Sequence, residues 1–134
     1  MDDSTLSLVL FSGTDDKLAA AAVLSAGAAA MGRPVNIFLQ YWALDAFRAD
    51  RIRADHGTAP EAGSEGAAIV ARHGGPHWSE ILGQAKGIGE VQIHACSLSM
   101  EMLGLTMDDL DPLVDDQKGV AGFFIDVDGP VTFI

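Results

Sequence analysis

The chain has 134 residues, of which 49% are hydrophobic, and it carries a formal net charge of −11. This length suits one domain, and the apolar content excludes intrinsic disorder because it is sufficient for a sizeable core. The strong negative charge argues against binding to nucleic acids and to anionic membrane surfaces, because both present phosphate groups.

The beginning of the chain and its cysteine content indicate a compartment. Met1-Asp2-Asp3 is acidic where a secretory signal is basic, and the apolar stretch from Leu18 to Met31 is too short to span a bilayer. Cys96 is the only cysteine, so the chain has neither an intrachain disulfide nor a multi-cysteine zinc site. We therefore expect a cytoplasmic protein with a free thiol and no membrane span.

The first part of the chain predicts a strand, a helix and a second strand. Residues 6–11 form an apolar run closed by Ser12-Gly13, and Thr14 is a suitable N-cap for the alanine-rich helix that follows. Residues 35–39 are apolar on both faces, which is typical of a parallel sheet covered by helices. Together they predict a βαβ unit and a single α/β domain.

The middle of the chain is less regular. A short helix is predicted over residues 43–50. Residues 51–75 are rich in glycine, alanine and proline, and they predict a loop with at most one short helix. A loop of this length is often a lid or an interface element, but a mobile surface excursion explains the composition equally well.

The second half alternates again between helices and strands. The pattern predicts a helix over 78–86, a strand over 90–95, a helix over 97–104 and a short strand over 111–114. The tail has two interpretations. Residues 119–125 and 131–134 look like a β-hairpin on local signals, whereas the alternation of the chain favours a helix followed by an edge strand.

Cys96 is the strongest candidate for chemistry. It follows a predicted strand and precedes a predicted helix, so its thiol is expected at the carboxyl end of a parallel sheet, where open α/β folds bind ligands. A helix N-terminus stabilises a thiolate relative to a thiol. The alternative is that Cys96 is a small buried hydrophobic residue, which is common for free cysteines.

Other side chains near the predicted strand ends are weaker candidates. His94 lies two residues before Cys96 and either tunes the thiol electrostatically or is a satisfied histidine at the sheet edge. Gly13 and Thr14 form a turn that either cradles a small anion or simply requires glycine. Trp42 either walls a pocket at the same sheet end as Cys96 or is a packing aromatic residue.

Metal and cofactor sites are not expected. His73 and His77 have helical spacing, but Gly74-Gly75-Pro76 between them prevents one helix from presenting both. Gly87-Ile88-Gly89 precedes a strand and so is not a dinucleotide fingerprint. The aspartates between residues 108 and 116 are interpreted as a solvated surface.

The segment from Ile93 to Leu105, IHACSLSMEMLGL, resembles the cysteine segment of the DsrE/DsrF-like family, in the single-cysteine branch often labelled peroxiredoxin-like. Ser12-Gly13-Thr14, Ala29-Ala30-Met31-Gly32 and Gly119-Val120-Ala121 fit the same family. The resemblance implies a three-layer α/β/α fold with a mainly parallel five-stranded sheet and a homo-oligomer. It also favours the helix over residues 119–125.

The resemblance further implies that Cys96 holds sulfane sulfur as a persulfide and exchanges it with a small TusA-like carrier protein. Ser97 and Ser99 would then donate hydrogen bonds to the charged sulfur or cap the helix. Relatives with a second cysteine can form an intramolecular disulfide, which this chain cannot. The alternative function is a non-enzymatic oligomeric binding module in which Cys96 is structural. A thiol peroxidase is disfavoured because Ile93 occupies the position of that family's threonine.

Overall fold

The structure is a computed structural model that describes residues 5–134. The acidic start, Met1 to Asp3, lies outside the described residues. The strands are β1 (Leu6–Leu10), β2 (Val35–Leu39), β3 (Val91–Cys96), β4 (Asp116–Lys118) and β5 (Val131–Phe133). The helices are α1 (Asp15–Ala30), α2 (Tyr41–Ala46), α3 (Gly63–Arg72), α4 (Trp78–Ile88), α5 (Ser97–Leu103) and α6 (Val120–Ile125).

The five strands form one sheet in the order β4-β3-β2-β1-β5, and every pair is parallel. The predicted α/β fold with a parallel five-stranded sheet is confirmed. β2 is buried along its whole length, as its apolar sequence on both faces requires. The register pairs Phe38 with His94 and Cys96 with Lys118, so these side chains share one face of the sheet.

The path of the chain places the helices on opposite faces. Successive connections from β1 to β4 step across the sheet in one direction, and the last connection, from β4 to β5, returns past the other strands. Because such crossovers are right-handed, the returning connection lies on the opposite face from the earlier ones. We call the side packed against α1 and α4 the first face, and the side covered by α6 the second face.

The first face carries the larger part of the core. Its strand residues include Leu8, Ile37 and Ile93, which are fully buried with Leu18 of α1 and Leu82 of α4. The second face has a smaller cluster, formed by Val9, Phe38, Cys96 and Phe123, with Val127 and Val131 packed against it. Phe123 of α6 stacks on Phe38 with ring centroids 4.6 Å apart.

Three element predictions need comment. The helix predicted over 119–125 is confirmed as α6, and the hairpin interpretation is wrong. The strand predicted over 111–114 is wrong, because the edge strand is β4 and Asp111–Val114 forms the turn before it. The region 51–75 contains a short 3-10 helix, Pro60–Ala62, and the ten-residue α3, in which every residue is at least partly exposed.

Within residues 5–134, no helix has both the length and the apolar character needed to cross a membrane.

Candidate functional site

Cys96 is the last residue of β3 and the N-cap of α5. The side chains of Ile93 and Ala95 lie on the first face of the sheet, so those of His94 and Cys96 lie on the second face. The Cys96 side chain is 1% exposed and packs with Val9, Phe38 and Phe123. The thiol therefore lies at the carboxyl end of the sheet, and α6 shields it from solvent.

An amide group approaches the sulfur from the neighbouring strand end. Gln40 follows β2 directly, and its Nε2 lies 3.9 Å from Cys96 Sγ. The next residue, Tyr41, has a φ of 45°, a left-handed conformation that is rare for a residue with a side chain. Its backbone N–H donates a 3.0 Å hydrogen bond to Ser99 Oγ. The strained turn after β2 thus holds Gln40 beside the thiol.

The two serines predicted near the thiol make their hydrogen bonds elsewhere. Ser99 is buried and accepts from the backbone of Tyr41, so it joins α5 to the turn after β2. Ser97 Oγ accepts a 3.3 Å hydrogen bond from Nε2 of Gln117 in β4. Both serines therefore connect α5 to neighbouring elements.

His94 lies on the second face, two residues before Cys96, and is 2% exposed. Its Nδ1 makes a 2.5 Å hydrogen bond with Oδ1 of Asp116, its registered partner on β4. Its Nε2 is buried and has no hydrogen-bond partner among the described residues. Two further buried polar atoms without a partner in this part of the chain, Ser7 Oγ and Asn36 Oδ1, belong to the same sheet face.

A cation is registered directly beside Cys96. Lys118 is the Cα partner of Cys96, and its Nζ makes a 2.6 Å ion pair with Oδ2 of Asp126, which follows α6. The hydrogen bond and the charge of Lys118 lower the pKa of the Asp126 carboxyl. This ion pair connects β4 to the end of the helix that covers the thiol.

The remaining predicted site residues hold the turn after β1. A Cβ on Gly13 would overlap the carbonyl oxygen of Trp42, so glycine is required there by the close approach of α2. Thr14 is the N-cap of α1, and its hydroxyl lies 3.5 Å from that of Ser12. Trp42 is 54% exposed, and its ring makes an edge contact with that of Tyr41, with centroids 6.1 Å apart.

Two surface cavities lie away from Cys96. One, of about 630 Å³, is lined by residues of α1 and α3 and by His73, His77 and Trp78. The other, of about 460 Å³, is lined by Phe11 and Ser12 in the turn after β1 and by residues of α1 and β5. His73 and His77 thus share a cavity wall although they cap different helices. Burial and the charge of Arg53 lower the pKa of His77. The described part of the chain shows no group of three residues able to hold a metal.

Sequence patterns did not identify Gln40, Asp116 and Lys118 as site residues. Gln40 carried a usable signal, because a polar residue directly follows a buried strand whose end lies beside Cys96. Asp116 and Lys118 carried none, since they reach the site only through the pairing of β4 with β3. The interpretation of all the aspartates between 108 and 116 as a solvated surface is therefore incomplete at Asp116.

Comparison with known proteins supports the predicted resemblance. Residues 2–63 match the model of the DsrE/DsrF/DrsH-like family, so the resemblance is confirmed in that segment, which ends before Cys96. Proteins of this family are related to sulfur relay. No curated protein gives a significant match.

One solved structure with the same architecture is a protein of unknown function, MTH1491, from Methanobacterium thermoautotrophicum. It is 16% identical to this chain, with a TM-score of 0.57, and the alignment covers 92% of this chain and 89% of that protein. At this identity the likeness shows a shared fold.

Proposed function

We propose that this protein carries sulfane sulfur as a persulfide on Cys96 and relays it to a thiol of a partner protein. The observation that supports this function is the environment of the thiol. Cys96 lies at the carboxyl end of β3, with the Gln40 amide 3.9 Å from its sulfur and Lys118 registered beside it. The donor N–H favours a negatively charged sulfur, and Lys118, now paired with Asp126, is a cation on the neighbouring strand.

The transfer needs one sulfur on each partner. The Cys96 thiolate attacks the outer sulfur of a donor persulfide, R–S–SH. A bond forms between Cys96 Sγ and that sulfur, and the donor's S–S bond breaks. The donor leaves as a thiolate with the electron pair of the broken bond, and it takes up one proton. The reverse exchange with an acceptor thiol delivers the sulfur, so no external oxidant or reductant is needed.

The burial of Cys96 makes access part of the proposed mechanism. α6 is six residues long, and Phe123 is its buried side chain. The Lys118–Asp126 ion pair and the packing of Val127 add to this attachment. A short helix with so few attachments opens at a lower free-energy cost than the whole domain. In our proposal α6 moves away, the donor reaches Cys96, and α6 then closes over the sulfur.

The partner in this proposal is a small TusA-like carrier, which the family resemblance implies. A homo-oligomer is part of the same proposal. Large apolar side chains of α6 and β5 remain exposed in the single chain, and an oligomer contact would cover such groups. They are Val120, Phe124, Ile125 and Phe133. The proposed location is the cytoplasm, where a single free thiol stays reduced.

Intact-mass spectrometry tests the carrier function. The native protein is incubated with a small-molecule persulfide, desalted and measured without reductant, beside the Cys96→Ser variant. We expect the native protein to gain the mass of one sulfur atom and the variant to gain nothing. A native protein that gains no sulfur, under conditions that load a control thiol protein, would refute the proposal.

A second candidate function is supported by the burial of Cys96 and by the 630 Å³ cavity between α1 and α3. In this alternative the protein is a binding module and Cys96 is a core residue. Alkylation of the folded protein distinguishes the two functions. If Cys96 reacts only as fast as global unfolding allows, and the native protein gains no sulfur, the binding module is the better description.

A further inference from the structure

We infer that His94 and Asp116 form a proton-accepting pair for Cys96, in which Asp116 orients the imidazole and Nε2 of His94 takes the thiol proton. This inference deepens the proposed function, on which its biological meaning rests. It assigns a role to a carboxylate that the sequence pattern placed on the surface.

The first observation is the orientation of the ring. Nδ1 of His94 is hydrogen-bonded to Oδ1 of Asp116, and a carboxylate in that position accepts the Nδ1 proton. In a neutral imidazole the other nitrogen is then an unprotonated acceptor. Asp116 is half exposed and retains contact with water, whereas His94 is almost completely buried.

The second observation is the free Nε2 atom itself. It is buried and has no hydrogen-bond partner in residues 5–134. A buried acceptor without a partner is destabilising, so its presence in the fold requires an explanation. A role as a base for the free thiol two residues further along the same face of β3 would explain an unprotonated Nε2.

The third observation is the distance along the strand. Residues i and i+2 of a strand lie on the same face, about 6.6 Å apart between Cα atoms. The two groups make no hydrogen bond in the closed structure. In the proposed step, a rotation about χ1 of Cys96 turns its thiol towards the imidazole across this gap. The proton moves from sulfur to Nε2, which leaves a thiolate beside an imidazolium, and the departing donor thiolate later takes that proton.

The charged groups around His94 are consistent with this cycle. Asp116 on β4 and Asp126 after α6 are acidic, and Lys118 on β4 is paired with Asp126. The carboxylate of Asp116 stabilises the imidazolium that forms. Because His94, Asp116 and Cys96 all belong to the sheet, the pair keeps its geometry when α6 moves away.

The test is the pH dependence of Cys96 alkylation by iodoacetamide in the folded protein. We compare the native chain with Asp116→Asn and His94→Gln. We expect both variants to react about tenfold more slowly at pH 7 and to approach the native rate above about pH 9, where thiols ionise without assistance. A change in access alone would give the same rate ratio at every pH.

Asp115→Asn is the matched control. Asp115 is adjacent and also acidic, but its carboxylate binds Lys86 and the backbone N–H of Ile93. Its variant should keep the native pH profile. Nitrogen-15 NMR of the native imidazole should also show a protonated Nδ1 and an unprotonated Nε2.

The inference is overturned if Asp116→Asn keeps the native pH profile, if its rate ratio is constant with pH, or if His94 carries its proton on Nε2. Because Asp116 is half exposed, its variant is informative even where His94→Gln does not fold. Sulfur uptake is measured on the same samples. Uptake by a native protein whose alkylation does not depend on Asp116 refutes this inference while the carrier function stands.

Discussion

Removal of the Phe123 ring should uncover Cys96 without unfolding the domain. Phe123 is fully buried, stacks on Phe38 and packs in the same cluster as the thiol. Truncation of a buried phenylalanine to alanine costs roughly 3–5 kcal/mol. At the lower end, about 3 kcal/mol corresponds to about a hundredfold larger population of the state in which α6 is displaced.

The assay is iodoacetamide labelling of the folded protein, followed by intact mass. Phe123→Ala should raise the labelling rate of Cys96 by about a hundredfold. Val23→Ala is the control, because Val23 is 60% exposed on α1, outside this cluster and outside the apolar surface proposed for the oligomer. We expect it to label close to the native rate.

A second control separates local opening from global unfolding. Phe47 is also fully buried but belongs to the first-face core, and its truncation lowers global stability by a similar amount. Because global unfolding costs about 5–15 kcal/mol, it should contribute less to labelling than movement of α6. Equal labelling of the Phe47→Ala and Phe123→Ala variants would refute the assignment of α6 as the cover of the thiol.

Two further predictions concern the scaffold. Gly13→Ala should destabilise the domain by several kcal/mol, because the new methyl group overlaps the Trp42 carbonyl. Gly27→Ala, in open space on α1, should stabilise the domain by about 0.5–1 kcal/mol. Urea unfolding measures both free energies, and equal effects would contradict the close approach of Trp42 to Gly13. His77 accepts the Ser79 N–H at the start of α4, so His77→Ala should cost about 1 kcal/mol at pH 7.5. The pKa of His77 in the folded state lies below the unfolded value of 6.5, so its contribution to stability is present above pH 6.5 and is lost as the pH falls through the folded value. His77→Asn keeps the cap without titrating, so it should lose less stability than the native chain between pH 7.5 and 5.5. An equal loss in the two proteins would contradict this role of His77.

The sheet was predictable to the extent that its strands are buried. β2 is apolar on both faces because helices cover both sides of it, so its sequence identifies it without any partner. β4 is a three-residue edge strand, Asp116-Gln117-Lys118, with mostly exposed side chains. Its strand conformation comes from pairing with β3, which the local sequence pattern does not show. The nearby apolar residue Val114, inside the wrongly predicted strand, is buried because it belongs to the first-face core.

α3 was underestimated for a related reason. Its residues are all at least partly exposed, and its ten residues include Gly63 and Gly66, which are poor helix formers. Alanine propensity supports it locally, with Ala67, Ala68 and Ala71 in its ten residues. The composition therefore indicated exposure correctly, while the prediction of a loop with at most one short helix underestimated the ten residues of α3.

The site shows the same division between local and long-range information. The position of Cys96 at a strand end was readable from its neighbours in sequence. Its burial was not, because burial depends on α6, which reaches the second face only when the chain returns across the sheet. The partners of the thiol likewise come from separate strands, with Gln40 after β2 and Lys118 in β4.

This separation makes access and activation of the thiol independent in our proposals. The cover is Phe123 on α6, whereas the proton-accepting pair is His94 and Asp116 on β3 and β4. Phe123→Ala should therefore change the labelling rate by a factor that is constant with pH, and Asp116→Asn by a factor that decreases as the pH rises. In the double variant the two factors should multiply, as they do for independent sites. A double variant that labels no faster than Asp116→Asn alone would mean that the pair works only while α6 is closed over it.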